Sequence, residues 1–167
     1  MAPKKEGSAP GRGLFQDDDC ERPACDEMKA VLPSSMAEFE EMKKNYKKQQ
    51  KKVECPPGSA ELGLGTWKLL HSMAAWYPDE PTKKQKKGMT GFFQTLADFY
   101  PCTYCAEDFQ TNLKKFPVEA DSRTDLCVWL CNQHNQVNQK LGKPLFECNM
   151  KNLEERWRKS SASNCNK

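Results

Sequence analysis

Residues 121–144 read DSRTDLCVWLCNQHNQVNQKLGKP. Leu126, Leu130, Val137 and Leu141 recur at the spacing of one helical face. Asp121 or Ser122 can cap the start of this helix, and Gly142 with Pro144 stops it. Cys127, Cys131, His134 and Asn138 fall on a second face, polar and opposed to the leucine stripe, with Asn135 beside it. A helix with an apolar stripe needs apolar partners, and the flanking sequence supplies them as further helices.

Upstream, Pro56-Pro57-Gly58-Ser59 reads as a stop followed by a helix start. Leu62, Leu69, Leu70, Met73, Ala74 and Tyr77 then follow a helical face until Pro78 and Pro81. Thr82 and Gln85 have the spacing of a capping box, which opens a helix with Met89, Phe92, Phe93, Leu96 and Phe99 inward. Pro101 breaks it, and Cys105, Phe109, Leu113 and Phe116 carry the next helix to Pro117. Downstream, a short helix near Asn149 to Lys159 carries Leu153 and Trp157. No stretch alternates with period two over strand length, and no repeat is visible. The expected fold is all-α: a four-helix bundle plus a short fifth helix over 55–167, preceded by a flexible N-terminal arm over 1–54.

The arm differs in texture. Residues 1–60 hold 11 basic and 11 acidic side chains, including Asp17–Asp19 and the lysine-rich stretch from Lys43 to Lys52. Its few large apolar residues show no sustained period, so it buries little. A transient helix over Met36–Lys52, helped by Glu40–Lys44 pairing, is expected there, with the lysines as a solvated face. Met1 to Gln16 lacks the apolar core of a secretory signal and the amphipathic Arg/Ser pattern of a matrix transit peptide.

Over all 167 residues, apolar side chains make up 37% and charged ones 29%, with a net charge of +3. Mean hydropathy is -0.88. No apolar run approaches the ~20 residues of a helical membrane span. The weak basic excess forms no stripe of the kind that binds nucleic acid. The unusual quantity is nine cysteines, which is high for an ordinary reduced domain.

Cys102-Thr-Tyr-Cys105 follows Pro101 at a predicted helix start. Partial positive charge at a helix N-terminus lowers a thiol pKa, and the two-residue gap lets the pair close as a disulfide. That suits dithiol–disulfide exchange. The same spacing also suits zinc, with Cys127 and Cys131 as the other two thiolates. A second feature lies on two helices: Trp67 and His71 share one face, and His134 with the asparagines lies on another. A flat heteroaromatic ligand fits such a set, because tryptophan stacks on it while histidine and asparagine read its polar edges.

These residues together resemble the Erv/ALR family of FAD-dependent sulfhydryl oxidases, in its mitochondrial ALR type. The matching pieces are Cys55-Pro-Pro, Glu61-Leu-Gly63, Thr66-Trp67, Leu70-His71, Tyr77-Pro78, the segment Phe99 to Asp108, Trp129 to Asn138, Lys140 to Pro144, and Arg156-Trp157. The resemblance runs in one order from Cys55 to Cys165. It implies a helical bundle holding FAD, assembled as a homodimer. It implies that Cys102–Cys105 is the redox disulfide, with Cys105 facing the flavin and Cys102 attacked by the incoming thiolate. It places FAD contacts at Gly63, Trp67, His71, Tyr100, Cys131, His134, Asn135, Asn138, Lys140, Lys143, Arg156 and Trp157. It pairs Cys131 with Cys148 within a chain and Cys55 with Cys165 between subunits, leaving Cys127 as a small buried residue.

Two departures from the family pattern stand out. Leu64, followed by Gly65, occupies the position after the E-L-G motif where the family has arginine. The distal pair in the arm is Cys20-Glu-Arg-Pro-Ala-Cys25 rather than a CxxC. The expected function is thiol oxidation: Cys20/Cys25 collect electrons from a substrate dithiol and pass them to Cys102–Cys105, then FAD, then O2 or cytochrome c. The 29 residues between Cys25 and Cys55 give a flexible reach of about 30 Å. The resemblance implies the mitochondrial intermembrane space, with a cytosolic pool allowed, and the import oxidoreductase of that space as substrate. The competing readings are a structural zinc interaction module and a non-catalytic, disulfide-rich signalling factor.

Overall fold

A computed structural model describes residues 35–49 and 55–161, with side-chain environments omitted for 47–49. The chain divides into two units, Met1–Pro56 and Pro57–Lys167. In the first, α1 spans Met36–Gln49. Its ion pair joins Lys43 to Glu40 at 3.0 Å, in place of the expected Glu40–Lys44 pair. The Lys43 ammonium also lies 4.4 Å from the centre of the Phe39 ring, one turn back, which favours that lysine's position.

The second unit contains α2 (Ser59–Ala75), α3 (Lys83–Phe99), α4 (Thr103–Lys115), α5 (Arg123–Lys140) and α6 (Met150–Trp157). This is the expected bundle of four helices plus a short fifth, and no strand occurs among the described residues. No helix among them is long and apolar enough to cross a membrane. The caps follow the sequence signals. Thr82 and Gln85 close a reciprocal capping box at α3, Ser122 accepts the Asp125 N–H at α5, and Asn149 accepts the Asn152 N–H at α6. Gly142, at φ 63°, takes the left-handed conformation that turns the chain after α5.

α5 lies at the centre, packed against α2 and α6, while α3 pairs with α4. Leu126 and Leu130 are fully buried, and Phe93 sends its ring edge-on to Trp129 at 4.8 Å, joining α3 to α5. Phe93 also meets Phe109 of α4 edge-on. Two side chains tie the α4–α5 connection down. The Tyr77 hydroxyl donates to Ala120 O at 3.1 Å, and Trp129 Nε1–H donates to Phe116 O at 3.1 Å.

Four expectations about burial need correction. The polar face of α5 does not oppose its core face, because Cys127, Cys131 and Gln133 are buried along with Leu126 and Leu130. A central helix is covered on several sides, so its apolar stripe cannot be one-sided. Leu141, at the far end of the same stripe, is 61% exposed because α5 ends there. Leu69 and Phe99 also face outward. Leu69 is turned about 100° from Leu70 around the helix axis, and Phe99 is the last residue of α3.

Candidate functional site

Cys102 is the N-cap of α4, and its sulfur accepts the Cys105 N–H at 3.4 Å. The two residues are joined as a disulfide, as the sequence led us to expect. Both are half-buried, and Tyr104 between them projects outward, 77% exposed. The segment is anchored to α2 just ahead of it: the Tyr100 hydroxyl lies 3.4 Å from Thr66 Oγ1, next to Trp67. Thr66 in turn donates to Leu62 O at 2.7 Å. On the other side, an ion pair between Asp108 and Lys140 ties α4 to the end of α5.

Four aromatic rings from three helices form the neighbouring feature. Trp67 of α2 stacks on His134 of α5, with centroids 4.1 Å apart and planes within 4°. His71 of α2 stacks on Trp157 of α6 at 4.6 Å and 5°. The two stacks are joined by a hydrogen bond between His71 Nε2 and His134 Nδ1 at 3.0 Å. Burial, then His134, then Arg156 push the His71 pKa down to about 3. Burial, then Arg156, then Lys143 push His134 down to about 4. Both imidazoles are therefore neutral at pH 7, and a single N–H lies between them. The guanidinium of Arg156 lies 5.1 Å from the Trp157 ring and 5.5 Å from Phe146. The wall thus joins neutral flat rings to cations, a donor set suited to a flat ring carrying an anionic tail.

The connection between α5 and α6 is held from α5. Cys131 and Cys148 form the second disulfide. Asn135 grips Phe146 at both backbone groups: Nδ2–H donates to the carbonyl at 2.7 Å, and Oδ1 accepts the N–H at 2.9 Å. Asn135 Nδ2 is also 3.3 Å from Cys148 Sγ. Asn138 Nδ2–H reaches Asn135 Oδ1 at 3.5 Å, and the Asn138 carbonyl accepts the Lys143 N–H at 2.8 Å. Two residues expected to read a ligand edge therefore also fix the loop that carries Cys148.

Gly63 lies on α2 one turn before Trp67, half-buried, and a Cβ there would meet no atom within 4 Å. The same is true of Gly65, and Leu64 between them is exposed. Cys55 is exposed and free, whereas Cys127 is buried and free. Cys20, Cys25 and Cys165 lie outside the described residues, so the shuttle pair and the intersubunit pair have no structural counterpart here. The four thiols of the zinc alternative are distributed differently: Cys102 bonds Cys105, Cys131 bonds Cys148, and Cys127 stands apart. Sequence reasoning missed Arg123, Glu154 and Phe146. Ion pairs and backbone contacts between distant segments leave no local pattern in one sequence.

These features define a class: a small all-helical domain with a disulfide at a helix N-terminus and a wall of neutral aromatic rings. The chain belongs to the Erv1/Alr family, whose model matches residues 64–158. It is 44% identical over 103 residues to the mitochondrial FAD-linked sulfhydryl oxidase ERV1 of Saccharomyces cerevisiae, covering 62% of this chain and 53% of that protein. It is 48% identical over 94 residues to the mitochondrial FAD-linked sulfhydryl oxidase erv1 of Schizosaccharomyces pombe, covering 55% and 52%. The chain thus spans about half the length of the curated relatives it matches. Its fold is similar to the crystal structure of the yeast Erv1 core, with TM-score 0.64 and 35% identity over 80% of this chain and 99% of that one. It is likewise similar to the FAD binding domain of Erv1 from Saccharomyces cerevisiae, with TM-score 0.60 and 40% identity over 64% and 100%.

Proposed function

We propose that the chain is an FAD-dependent thiol oxidase that makes disulfides in protein substrates. The observation that carries this reading is the Cys102–Cys105 disulfide at the start of α4, anchored through Tyr100 and Thr66 to the helix that bears Trp67 and His71. The names of the Erv1 relatives, FAD-linked sulfhydryl oxidases, support it.

A substrate thiolate attacks Cys102 Sγ, a mixed disulfide forms, and Cys105 leaves as a thiolate. The positive end of α4 favours that thiolate. The second substrate thiol, deprotonated, then attacks the substrate sulfur of the mixed disulfide and expels Cys102 as a thiolate. The substrate has lost two electrons and gained a disulfide; the Cys102/Cys105 pair is now a dithiol. Bound FAD would supply a two-electron acceptor for that dithiol, with O2, or two molecules of cytochrome c taking one electron each, as the terminal oxidant.

The residues present fit FAD. Trp67, His71, His134 and Trp157 offer stacked flat faces, and Arg156 and Lys143 offer charge for its phosphates, whereas the charge of Lys140 is already met by Asp108. Gly63 and Gly65 lie two residues apart in α2, each costing about 1 kcal/mol relative to alanine, and a Cβ at either would meet open space, so packing within the chain requires neither glycine. Neutral imidazoles keep the wall uncharged where a ring must lie.

The same reading assigns the arm pair Cys20/Cys25 as the shuttle that receives electrons from the substrate. It assigns Cys55–Cys165 to a disulfide-linked homodimer. It places the protein in mitochondria, as the names of the fungal relatives suggest, and within them in the intermembrane space, acting on the import oxidoreductase.

An absorbance spectrum of the purified protein tests the proposal. Flavin bands that bleach with dithiothreitol and return in air are expected. A colourless protein that stays colourless after incubation with FAD overturns the proposal. Cys20→Ser with Cys25→Ser is expected to stop turnover with a protein dithiol while sparing turnover with dithiothreitol; equal loss with both removes the shuttle.

A further inference from the structure

Arg123, the first residue of α5, has a side chain only 13% exposed. Its Nε–H donates to Asp79 Oδ1 at 2.7 Å, and its Nη1–H donates to Glu154 Oε1 at 2.6 Å. Burial works against its charge, yet its hydrogen bonds to the two carboxylates, with their negative charge, outweigh it and raise the pKa. The two partners differ in kind. Asp79, on the connection between α2 and α3, has a side chain 71% exposed. Glu154 lies in the middle of α6, one turn before Trp157, whose ring lies flat on His71.

α6 has only eight residues. A helix this short has little stability of its own, so its orientation depends on what it touches. Leu153 is buried and serves as a pivot. A pivot alone does not fix rotation about the helix axis; a directed hydrogen bond on the neighbouring residue does. Arg158 also reaches Glu154, at the longer distance of 3.5 Å, and its guanidinium lies 5.1 Å from the Trp76 ring at the end of α2, so it braces the end of α6 while Arg123 makes the shorter, directed bond to Glu154. Arg123, Glu154, Trp157, His71, Cys127 and Leu153 line one crevice too narrow to admit water. A shift of the ion pair therefore passes directly to the rings.

We propose that Arg123 is a positioning residue for the aromatic wall, acting through Glu154 to set the angle at which Trp157 meets His71. A guanidinium suits this role because its planar fork engages two carboxylates in fixed directions, which a lysine ammonium cannot do. The Asp79 branch anchors the arginine from the solvent side, while the Glu154 branch orients the wall. As a statement about flavin binding, the proposal rests on the reading of the wall as the FAD site.

A double-mutant cycle tests it. FAD affinity is measured by flavin fluorescence for Arg123→Gln in two backgrounds, the natural chain and Trp157→Leu. In the natural background Arg123→Gln is expected to weaken FAD by about five-fold or more, and in Trp157→Leu by less than about two-fold. Glu154→Gln should match Arg123→Gln, while Asp79→Asn should stay within about two-fold of the parent. Near-ultraviolet circular dichroism of the flavin-free chain is the second readout. Arg123→Gln and Glu154→Gln should diminish the ring-stack signal, and Asp79→Asn should not. Equal loss of affinity in both backgrounds, or Asp79→Asn behaving like Glu154→Gln, overturns the proposal. If Arg123→Gln fails to fold, Glu154→Gln against Asp79→Asn decides. If the parent binds no FAD, the proposed function falls, and the circular dichroism comparison still decides the role of Arg123.

Discussion

His71 Nε2 and His134 Nδ1 lie 3.0 Å apart, and each imidazole is stacked on a tryptophan. One proton serves both nitrogens, so the two tautomers are linked. If His71 donates from Nε2, then His134 carries its own proton on Nε2, and the reverse arrangement moves both. Protonating either ring would bury a cation beside Arg156, and protonating both would place two imidazolium cations in contact there. This is why both groups are held neutral far below the usual imidazole range.

The pair makes stability depend on pH. An unfolded histidine titrates near 6.5, whereas His71 and His134 titrate at about 3 and about 4 in the fold. Between those values the unfolded chain binds protons that the folded chain refuses. Their contribution is thus fully present above about pH 6.5 and is lost as pH falls toward the folded values. The slope is at most ~1.4 kcal/mol per pH unit for each histidine. Denaturant midpoints measured from neutral pH down to about pH 4.5 should fall, and His71→Phe should flatten the decline over that window. An equal slope in the variant contradicts the depressed His71 pKa.

Trp67 is half-buried, and its stack on His134 is the closest ring pair of the wall among the described residues. Trp67→Leu keeps apolar bulk but removes the flat face. A stacked pair contributes about 0.5–1.5 kcal/mol beyond buried area, so FAD should bind about two- to twelve-fold more weakly. Trp67→Phe should recover most of that loss. Titration of flavin fluorescence reads both, and an unchanged affinity in Trp67→Leu removes Trp67 from the wall.

Much of this architecture was legible in the sequence. Helix boundaries followed from prolines and caps, and Cys102–Cys105 announced itself by its place after Pro101. Trp67 and His71 were visible as an i,i+4 pair. What was not legible has physical reasons. The burial of Cys127, Cys131 and Gln133 arises because α5 is central, and a one-face periodicity cannot express that. Arg123 meets Glu154 and Asp79 across 31 and 44 residues, separations at which charge pairing leaves no pattern. The grip of Asn135 on Phe146 fixes an irregular loop that has no period to read.

The capping box at α3 gives a direct measure of one local signal. Thr82 Oγ1 accepts the Gln85 N–H at 3.3 Å, and Gln85 Oε1 accepts the Thr82 N–H at 2.8 Å. Thr82→Ala removes the first bond and leaves an orphan donor at the helix start. A loss of about 1 kcal/mol is expected in urea unfolding. Thr82→Ser should restore most of it, and no loss in the alanine variant refutes the role of the cap.

Cys127 is free, 4% exposed, and its thiol is pushed up to about 11, chiefly by burial. The reactive species is the thiolate, so this cysteine should be inert in the fold. Site-resolved mass spectrometry after iodoacetamide treatment near pH 8 should find Cys127 unmodified in native protein and modified in denatured protein. Rapid modification of the native chain contradicts its burial.

The two disulfides should separate structure from chemistry. Cys131–Cys148 joins residues 17 apart, and Cys131 is buried in the core. Closing a loop of that length restricts the unfolded chain by about 3 kcal/mol. Cys102–Cys105 spans a separation of 3, for which the same entropy argument gives roughly 1–2 kcal/mol. Cys148→Ser should therefore lower the urea midpoint more than Cys105→Ser does. It should also loosen the loop that Asn135 holds, because Asn135 Nδ2 approaches the same sulfur. Thiol oxidation should follow the opposite order. Cys105→Ser leaves Cys102 with no partner to expel and should abolish turnover while the fold stays intact. Cys148→Ser should keep measurable turnover at temperatures where it remains folded. If Cys105→Ser retains turnover, the assignment of the redox pair is wrong; if Cys148→Ser unfolds no more easily than Cys105→Ser, loop closure is not what the second disulfide contributes.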